Sequence, residues 1–566
     1  MILQSFRHIC ALTFLALMYV AASAQPFQVL QAYTLNDVDY TGIYSDVVNL
    51  SSAAANPGSP VAVGHTKISP ATGLITIMQT NGTPISMYQV VNSLGNSVLS
   101  RAICRAVNDD LIACFYDPGI QATDVIRLSA AGVILWQTRL PGFQVEDVIC
   151  DDVGGVMGEV VWLTGKAMAQ GQVAIEAISG AGAAIFGNAY GLVNPNWAYQ
   201  SAKGFCIQLN AAKTNLTVAG TAITATGQSE MVVLRTALNG GLIWAKGYGD
   251  PAGTDFYHGK CLVQRPGTGN RFAIGVEYSN VAAAQNQAAA MMINAAGNPL
   301  WIRAYTGGGF FAGLEYIVHD IDVDNNRLLI CGNFDSDSKA GTTKSAFSLA
   351  LRLNGAGLQF NEYETTGLFP AGDNGFMGMD FNPVVNHHVM VGSFTTSDII
   401  GSWPWGNDPN SFWAVAANQL GIANCSTNDD LQSQNLTPTV AVLTNNVVAL
   451  PNQAQSPLTL AQVGPLVASQ CGVAKHALAA ELEAVKTETV QIGYREATEQ
   501  IVLNVQGELT GSGTFQLLNL QGQILAELAA TSGEMVFGAA QLSHGIYLVR
   551  YTLPGLGHGV RKVMVW

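Results

Sequence analysis

The chain has 566 residues, of which 49% are apolar and only 11% charged, with 60 glycines and a formal net charge of -14. Soluble domains ordinarily carry about 25% charged residues and about 7% glycine, so this composition excludes a disordered polyelectrolyte, a coiled coil and a basic nucleic-acid binder. At ~150 residues per domain the length suggests three or four domains, but a repeat architecture uses the same length as one body with an appendage.

The N-terminus carries Arg7, an apolar run from Ile9 to Ala22, and Ala22-Ser23-Ala24 before Gln25. These are the three parts of a secretory signal peptide, so residues 1–24 are expected to be removed after Ala24. No later segment is long and apolar enough to span a bilayer, and no transmembrane segment is expected. Eight cysteines follow, at positions 104, 114, 150, 206, 261, 331, 425 and 471. Their even number suits an oxidising compartment. Cys104 and Cys114 lie symmetrically about the turn Asn108-Asp109-Asp110 and could face each other across a hairpin; Cys425 and Cys471 bracket a low-complexity segment and are expected to form a disulfide. No Cys/His spacing suggests zinc, and neither a metal nor a cofactor is expected.

One pattern recurs from residue 27 to 425. A short apolar strand ends in glycine at Val61-Ala62-Val63-Gly64, Val161-Trp162-Leu163-Thr164-Gly165, Leu216-Thr217-Val218-Ala219-Gly220, Phe272-Ala273-Ile274-Gly275, Leu329-Ile330-Cys331-Gly332 and Met390-Val391-Gly392. Leu111-Ile112-Ala113-Cys114 is a version without glycine, and the marks stand about 50 to 60 residues apart. After each comes an alternating strand and a turn glycine, as in Met231-Val232-Val233-Leu234 before Gly240, then a strand with an aromatic followed four residues later by tyrosine: Phe186 and Tyr190, Trp244 and Tyr248, Trp301 and Tyr305. A further strand precedes each mark, as in Asp147-Val148-Ile149-Cys150 and Cys261-Leu262-Val263. Period-two alternation punctuated by glycine turns predicts antiparallel strands. Four strands in about 50 residues, repeated seven times, predict a β-propeller of four-stranded blades, whose strands are buried on both faces and carry few charges.

Naming the four strands a to d, the seventh copy has a near Gly375 to Phe381, b at Val389 to Gly392 and c at Phe412 to Ala417, but no fourth strand. The spare strand is Phe27 to Tyr33, so the N-terminus is expected to complete the seventh blade and remove its exposed edge. The fold class expected is therefore all-β: a seven-bladed β-propeller over residues 25–425, closed by an N-terminal strand. The phrase Gly-x-x-x-Trp-x-x-x-Tyr after an alternating strand resembles the propeller repeats common in secreted proteins of bacteria that use the type IX secretion system.

Residues 426–489 are rich in Asn, Gln, Thr, Ala and Pro and read as a linker, with a hairpin around Val440 to Leu450 and a short helix from His476 to Lys486. Residues 490–566 read as a separate small β-sandwich. Leu518-Asn519-Leu520-Gln521-Gly522-Gln523, the segment Gly545-Ile546-Tyr547 and the basic terminal strand with Lys562 and Val563 make this end resemble the type A C-terminal sorting domain of type IX secretion substrates. The family's Tyr-Pro-Asn-Pro element is replaced here by Tyr494-Arg495-Glu496-Ala497. The resemblance implies the type IX secretion machinery as a partner, export across the outer membrane, removal of this domain, and a secreted or cell-surface location.

No HExxH, GxSxG, Walker or dinucleotide motif is present, so no catalytic residue is assigned. Asp320, Asp322 and Asp324 look like a calcium loop at first glance, but Asn325 and Cys331 stand where glycine and glutamate are needed; a strand ending in an Asp/Asn turn is the plainer reading. Adjacent His387 and His388 would point to opposite faces of a strand. The b to c loops lengthen along the chain, and the longest holds Trp403 and Trp405; the d to a loops bring Trp197, Tyr199, Tyr257 and Phe310 to the same face. Aromatics beside Asn and Asp suit sugar stacking or a protein anchor, although they would equally plug a channel mouth. Two functions remain open: a secreted or surface propeller that binds a glycan or protein, and an extracellular glycan hydrolase or lyase on the same scaffold.

Overall fold

The computed structural model describes residues 30–565 apart from the stretches 36–41, 67–69, 81–83, 266–270, 281–284, 308–315, 336–343, 364–374, 395–410, 421–425, 455–457, 470–489, 496–499, 506–512, 519–523, 531–532, 539–541, 543–544 and 554–556, and the single positions 55, 197, 251, 325, 419, 430, 437 and 464. The chain is all-β: among the described residues no helix occurs, and none is long and apolar enough to cross a membrane. Two units are compact by themselves, residues 1–472 and 473–566.

In the first unit the described residues build seven antiparallel sheets in which strands a to d lie side by side in chain order. The fourth is typical, with Tyr199–Leu209, Asn215–Thr224, Ser229–Ala237 and Leu242–Gly249. The seventh contains Gly375–Asn382, His387–Phe394 and Ser411–Ala417, and its fourth strand is the N-terminal Leu30–Leu35, which pairs Leu30 with Val415 and Tyr33 with Phe412. The a strands of the other sheets are Gly42–Asn49, Leu99–Arg105, Phe143–Asp152, Asp255–Gln264 and Tyr316–Val323. Each a strand contacts the a strand of the next sheet, and the seventh contacts the first. This is β-propeller and repeat character.

The composition follows from this packing. Leu111–Asp117 and Ala122–Leu128 are buried along their whole length, because a neighbouring sheet covers each face. Sheet-to-sheet cores are apolar, as where Trp162, Val173 and Ile175 meet Ile207, Val218 and Leu234. Each such side chain contributes roughly 1.5–3 kcal/mol on burial. The recurrent aromatics of strand d have a polar task as well. The hydroxyls of Tyr190, Tyr248 and Tyr305 donate to the carbonyls of Gly240 (2.7 Å), Gly297 (2.5 Å) and Gly355 (2.8 Å), each in the c to d turn of the following sheet. The indole N–H groups of Trp244 and Trp301 donate to Ala295 and Leu353 in two of those turns, and that of Trp136 to Gly180 in the c to d turn of the third sheet. The turn glycine is required twice over: Gly240 has φ +79°, and a Cβ there would lie 2.6 Å from the Phe186 ring.

The segment read as a linker is a belt. Ser426–Asp429 adds a fifth strand to the sixth sheet, Leu431–Asn435 to the fifth, Thr439–Val442 to the fourth and Thr444–Ala449 to the third. Ala454 bridges Arg139 of the second, Leu458–Val463 joins the first, and Pro465–Ser469 covers Leu30–Leu35 in the seventh. The chain thus visits the sheets in reverse order, pairing with the outer edge of each. The expected hairpin around Val440 to Leu450 is replaced by two strands on two different sheets: an unpaired d edge is a stronger template than a hairpin lacking an apolar face, and Val442, Val447 and Val448 stay exposed. The expected helix His476 to Lys486 lies outside the described residues.

The second unit holds a three-stranded sheet (Val490–Arg495, Gln500–Val505, Gly533–Gly538) and a four-stranded sheet (Ile524–Ala530, Gly513–Leu518, Gly545–Leu553, Gly557–Val565). Ile501, Leu503, Phe515, Leu517, Phe537, Tyr547 and Val549 form their shared core.

Candidate functional site

Every a strand carries a bulge at the same level. Register shifts leave one extra residue in each: Ser45, Arg101, Glu146, Phe205, Lys260, His319 and Met377. A bulge turns the extra side chain off the ladder. All seven line one cavity of about 280 Å³, to which every a strand contributes. The repeat therefore builds a shared channel and gives each sheet one freely variable residue in it: hydroxyl, guanidinium, carboxylate, phenyl, ammonium, imidazole and thioether.

The next residue in each strand is Asp46, Ala102, Asp147, Cys206, Cys261, Asp320 or Gly378. A bulge leaves a backbone N–H without a ladder partner, and such a buried donor must be met elsewhere. Asp46 meets it across the interface: Oδ2 accepts from Ile103 N (2.8 Å) of the next sheet while Oδ1 accepts from Val47 N (2.8 Å) of its own. Asp147 does the same for Ile207 N and Val148 N (2.7 Å each), and Asp320 for Met379 N and Ile321 N (2.7 Å each). Burial pushes the carboxyls of Asp46 and Asp320 well above the usual carboxylate range and that of Asp147 up to about 6, with the amide donors pulling the other way. Between the fourth and fifth sheets a thiol makes the cross-sheet contact in the opposite sense, Cys206 Sγ donating to the carbonyl of Leu262 at 3.3 Å.

On the side of the d to a connections the channel is charged. Glu146 accepts from Gln144 Nε2 (2.7 Å) and pairs with Lys203 Nζ at 2.6 Å and Arg101 at 3.7 Å. Lys203 sits 4.7 Å and Lys260 5.4 Å from the Phe205 ring, and Lys260 pairs with Glu277 at 3.1 Å. Burial lowers the Lys203 ammonium. Two acids, Asp322 and Asp380, come from the sixth and seventh sheets further along the channel wall. Burial, then the charge of Asp322, raises Asp380 to about 7, against the pull of Asn49, whose N and Nδ2 donate to Oδ2 at 2.6 and 2.9 Å. His388 Nδ1 lies 3.4 Å from Asp322 Oδ2.

The calcium-like triplet separates into three tasks. Asp320 ties two sheets, Asp322 faces His388, and Asp324 Oδ1 caps its own turn by accepting from Asn326 N (2.8 Å) and Arg327 N (2.7 Å). Of the aromatics expected on the long-loop face, Trp197, Phe310, Trp403 and Trp405 lie outside the described residues. Tyr199 opens its a strand half-buried; its hydroxyl donates to Glu230 and accepts from Asn194 Nδ2 at 3.2 Å, and Asn194 also donates to both Glu230 oxygens. Tyr257, read as a loop aromatic, is a core residue 1% exposed and 5.3 Å from the Tyr278 ring, because strand a begins two residues before it.

Cys425 and Cys471 also lie outside the described residues. Cys104 and Cys114 are free thiols, because the turn closed by Ala106 N and Asp110 O is centred on Asn108, so that Cys104 faces Ile112 and Cys114 faces Ala102. Cys150, Cys206, Cys261 and Cys331 are free as well.

No protein-family model matches the chain, and no curated protein matches it. Among solved structures it is similar to the WD40 repeats of RRP9, at 8% identity and a TM-score of 0.39 over 69% of this chain and 97% of that one. It is also similar to Drosophila plexin A in complex with semaphorin 1b (8%, TM-score 0.35, 68% and 86%) and to extracellular domains 1-2 of Drosophila semaphorin 1b (8%, TM-score 0.33, 68% and 86%).

Proposed function

We propose that the chain is a secreted or surface-displayed seven-bladed β-propeller, closed by Leu30–Leu35, that works as a binding module for a glycan or a surface protein. The observation that carries this reading is the use of the channel acids. Asp46, Asp147 and Asp320 each commit both oxygens to backbone amides of two adjacent sheets, so they serve as interface ties and leave the bulge residues to vary. A scaffold tied by aspartates at three of its sheet interfaces, with one variable side chain per sheet, suits recognition. Trp403, Trp405, Trp197, Tyr199 and Phe310 on the long-loop face are the proposed ligand contacts, with Tyr199 held in place by Glu230 and Asn194. Export follows from the leader 1–24 and from the sorting-domain resemblance: Gly545, Ile546 and Tyr547 open one strand of the terminal sheet, and Lys562 and Val563 lie on its neighbour. A Cys425 to Cys471 disulfide would tie the two ends of the belt.

A glycan array combined with a reducing-end release assay on the mature protein tests the reading. Binding without turnover, lost in Trp403→Ala and Trp405→Ala, is expected; product release would overturn it. The hydrolase or lyase reading draws on one feature, the acid Asp380 near pH 7 beside Asp322. Glycoside cleavage uses a pair of carboxyls on either side of the scissile bond. Under that reading Asp380→Asn abolishes release.

A further inference from the structure

We propose that a cleft between the fifth and sixth sheets, on the face opposite the long loops, binds an acidic oligosaccharide. The cleft has a volume of about 720 Å³ and draws Arg265 and Arg271 from the a to b turn of the fifth sheet and Arg327 and Arg352 from the sixth. No carboxylate lines it among the described residues. Four guanidinium groups converge in a chain with 25 basic residues against 39 acidic ones.

The arginines are set against one another. Arg327 and Arg352 are direct partners across the b to c ladder, and Arg265 N donates to Arg271 O at 3.0 Å across the a to b turn, which places that pair opposite too. Like charges directly opposite on neighbouring strands destabilise a sheet. Two buried arginines of the second sheet, by contrast, sit with carboxylates: Arg127 is paired with Asp110 (2.9 Å) and Glu159, and Arg139 with Asp124 (2.7 Å). The four cleft arginines make no ion pair among the described residues, and Arg265 Nε is buried without a hydrogen-bond partner. Asp324, in the adjoining turn, spends one oxygen on two backbone amides. Repeated uncompensated opposition in one cleft is explained by an anion that the arginines share.

The walls narrow the class. Guanidinium forks match carboxylate and sulfate groups, and Trp301 with Leu300, Leu353 and Leu358 offers the apolar surface on which a sugar face packs. A nucleic acid needs a basic track along its backbone, whereas here the surrounding composition is acidic. The site is separate from the long-loop face and stands independently of the function proposed there.

Titration calorimetry of the full chain tests it, with an oligogalacturonate and a heparin hexasaccharide as probes and cellohexaose, inorganic sulfate and a single-stranded DNA dodecamer as comparisons. Binding of an acidic oligosaccharide is expected, weakened at least about tenfold by Arg327→Gln or Arg352→Gln, falling with added salt and unchanged in Trp403→Ala. Without ligand, either Arg variant should melt at or above the parent temperature, since it relieves like-charge opposition. No binding of either acidic probe at low salt, binding indifferent to both Arg variants, equal binding of cellohexaose, or tighter binding of DNA or sulfate alone would each overturn the proposal.

Discussion

Replacing Tyr190, Tyr248 and Tyr305 together by phenylalanine removes three oxygen atoms and leaves the three rings in place, so no ring-sized cavity forms. Each hydroxyl is buried and donates to a turn carbonyl of the next sheet, at 2.7, 2.5 and 2.8 Å. A buried acceptor that loses its donor costs ~1–3 kcal/mol. The Gly240 carbonyl keeps a second, long bond from Asn188 Nδ2 at 3.4 Å, so Tyr190 belongs at the low end of that range. The three bonds cross three different interfaces and should add, giving roughly 3–6 kcal/mol in total. Against a typical folding free energy of ~5–15 kcal/mol this is large enough to shift a urea midpoint plainly. Tyr88→Phe is the internal control, because its hydroxyl meets Ala131 O at 3.1 Å in an exposed setting; about 0.5 kcal/mol or less is expected there. A triple variant within about 1 kcal/mol of the parent, or a Tyr88 variant equal to the buried ones, would refute the view that these tyrosines tie sheet to sheet.

Other outcomes follow from the same contacts. Gly240→Ala combines a left-handed backbone with a Cβ 2.6 Å from the Phe186 ring, and should cost roughly 2–4 kcal/mol; Gly227→Ala, at φ +83° with nothing within 4 Å, should cost only the backbone share of about 1 kcal/mol, both read by thermal melting. Asp147, Glu176 and Asp380 have carboxyls raised by burial to about 6, 7 and 7, so between about pH 4 and pH 7 the folded state binds more protons than the unfolded chain. Stability should therefore fall as pH rises through that window, with Asp147 accounting for roughly 3 kcal/mol of the drop; a melting temperature that climbs steadily from pH 4 to 7 would contradict the assignment. Deleting residues 25–35 removes the fourth strand of the seventh sheet and strands Pro465–Ser469 without a partner, so a steep loss of folding yield and melting temperature is expected.

What could be read from the residues depended on whether a signal was local. The aromatic of strand d and its tyrosine four positions later stand out because both side chains serve one interface and recur in the third, fourth and fifth sheets. The belt was illegible for the opposite reason. Its strands pair only by backbone along the outer rim, its outward side chains face solvent, and an Asn, Gln, Thr and Pro composition satisfies that role as well as it satisfies a linker. The four cleft arginines, at positions 265, 271, 327 and 352, acquire meaning only once two sheets bring them together.

The channel ring is the instructive case, because its imprint was visible but unread. In five sheets the glycine of strand b that marks the repeat stands opposite the residue just before the bulge: Gly64 faces Tyr44, Gly165 faces Val145, Gly220 faces Gly204, Gly332 faces Val318 and Gly392 faces Phe376, whereas in the fifth sheet Gly275 faces Cys261 just beyond it. The bulged strand swings a carbonyl inward, so a Cβ at Gly165 would lie 1.9 Å from Gln144 O and one at Gly220 2.1 Å from Lys203 O. Only glycine admits that approach. In those five sheets the repeat's most regular residue is thus the counterpart of its most variable one, and the residue one past the glycine's partner is the one aimed into the channel. The second sheet, where the mark is Cys114 instead, has the same alignment as the fifth: the cysteine pairs with Ala102 beyond the bulge and Phe115 stands opposite Ser100. Counting from glycine to bulge therefore locates Ser45, Glu146, Phe205, His319 and Met377, whereas in the fifth sheet the count from Gly275 falls on Leu262 and the channel residue is Lys260.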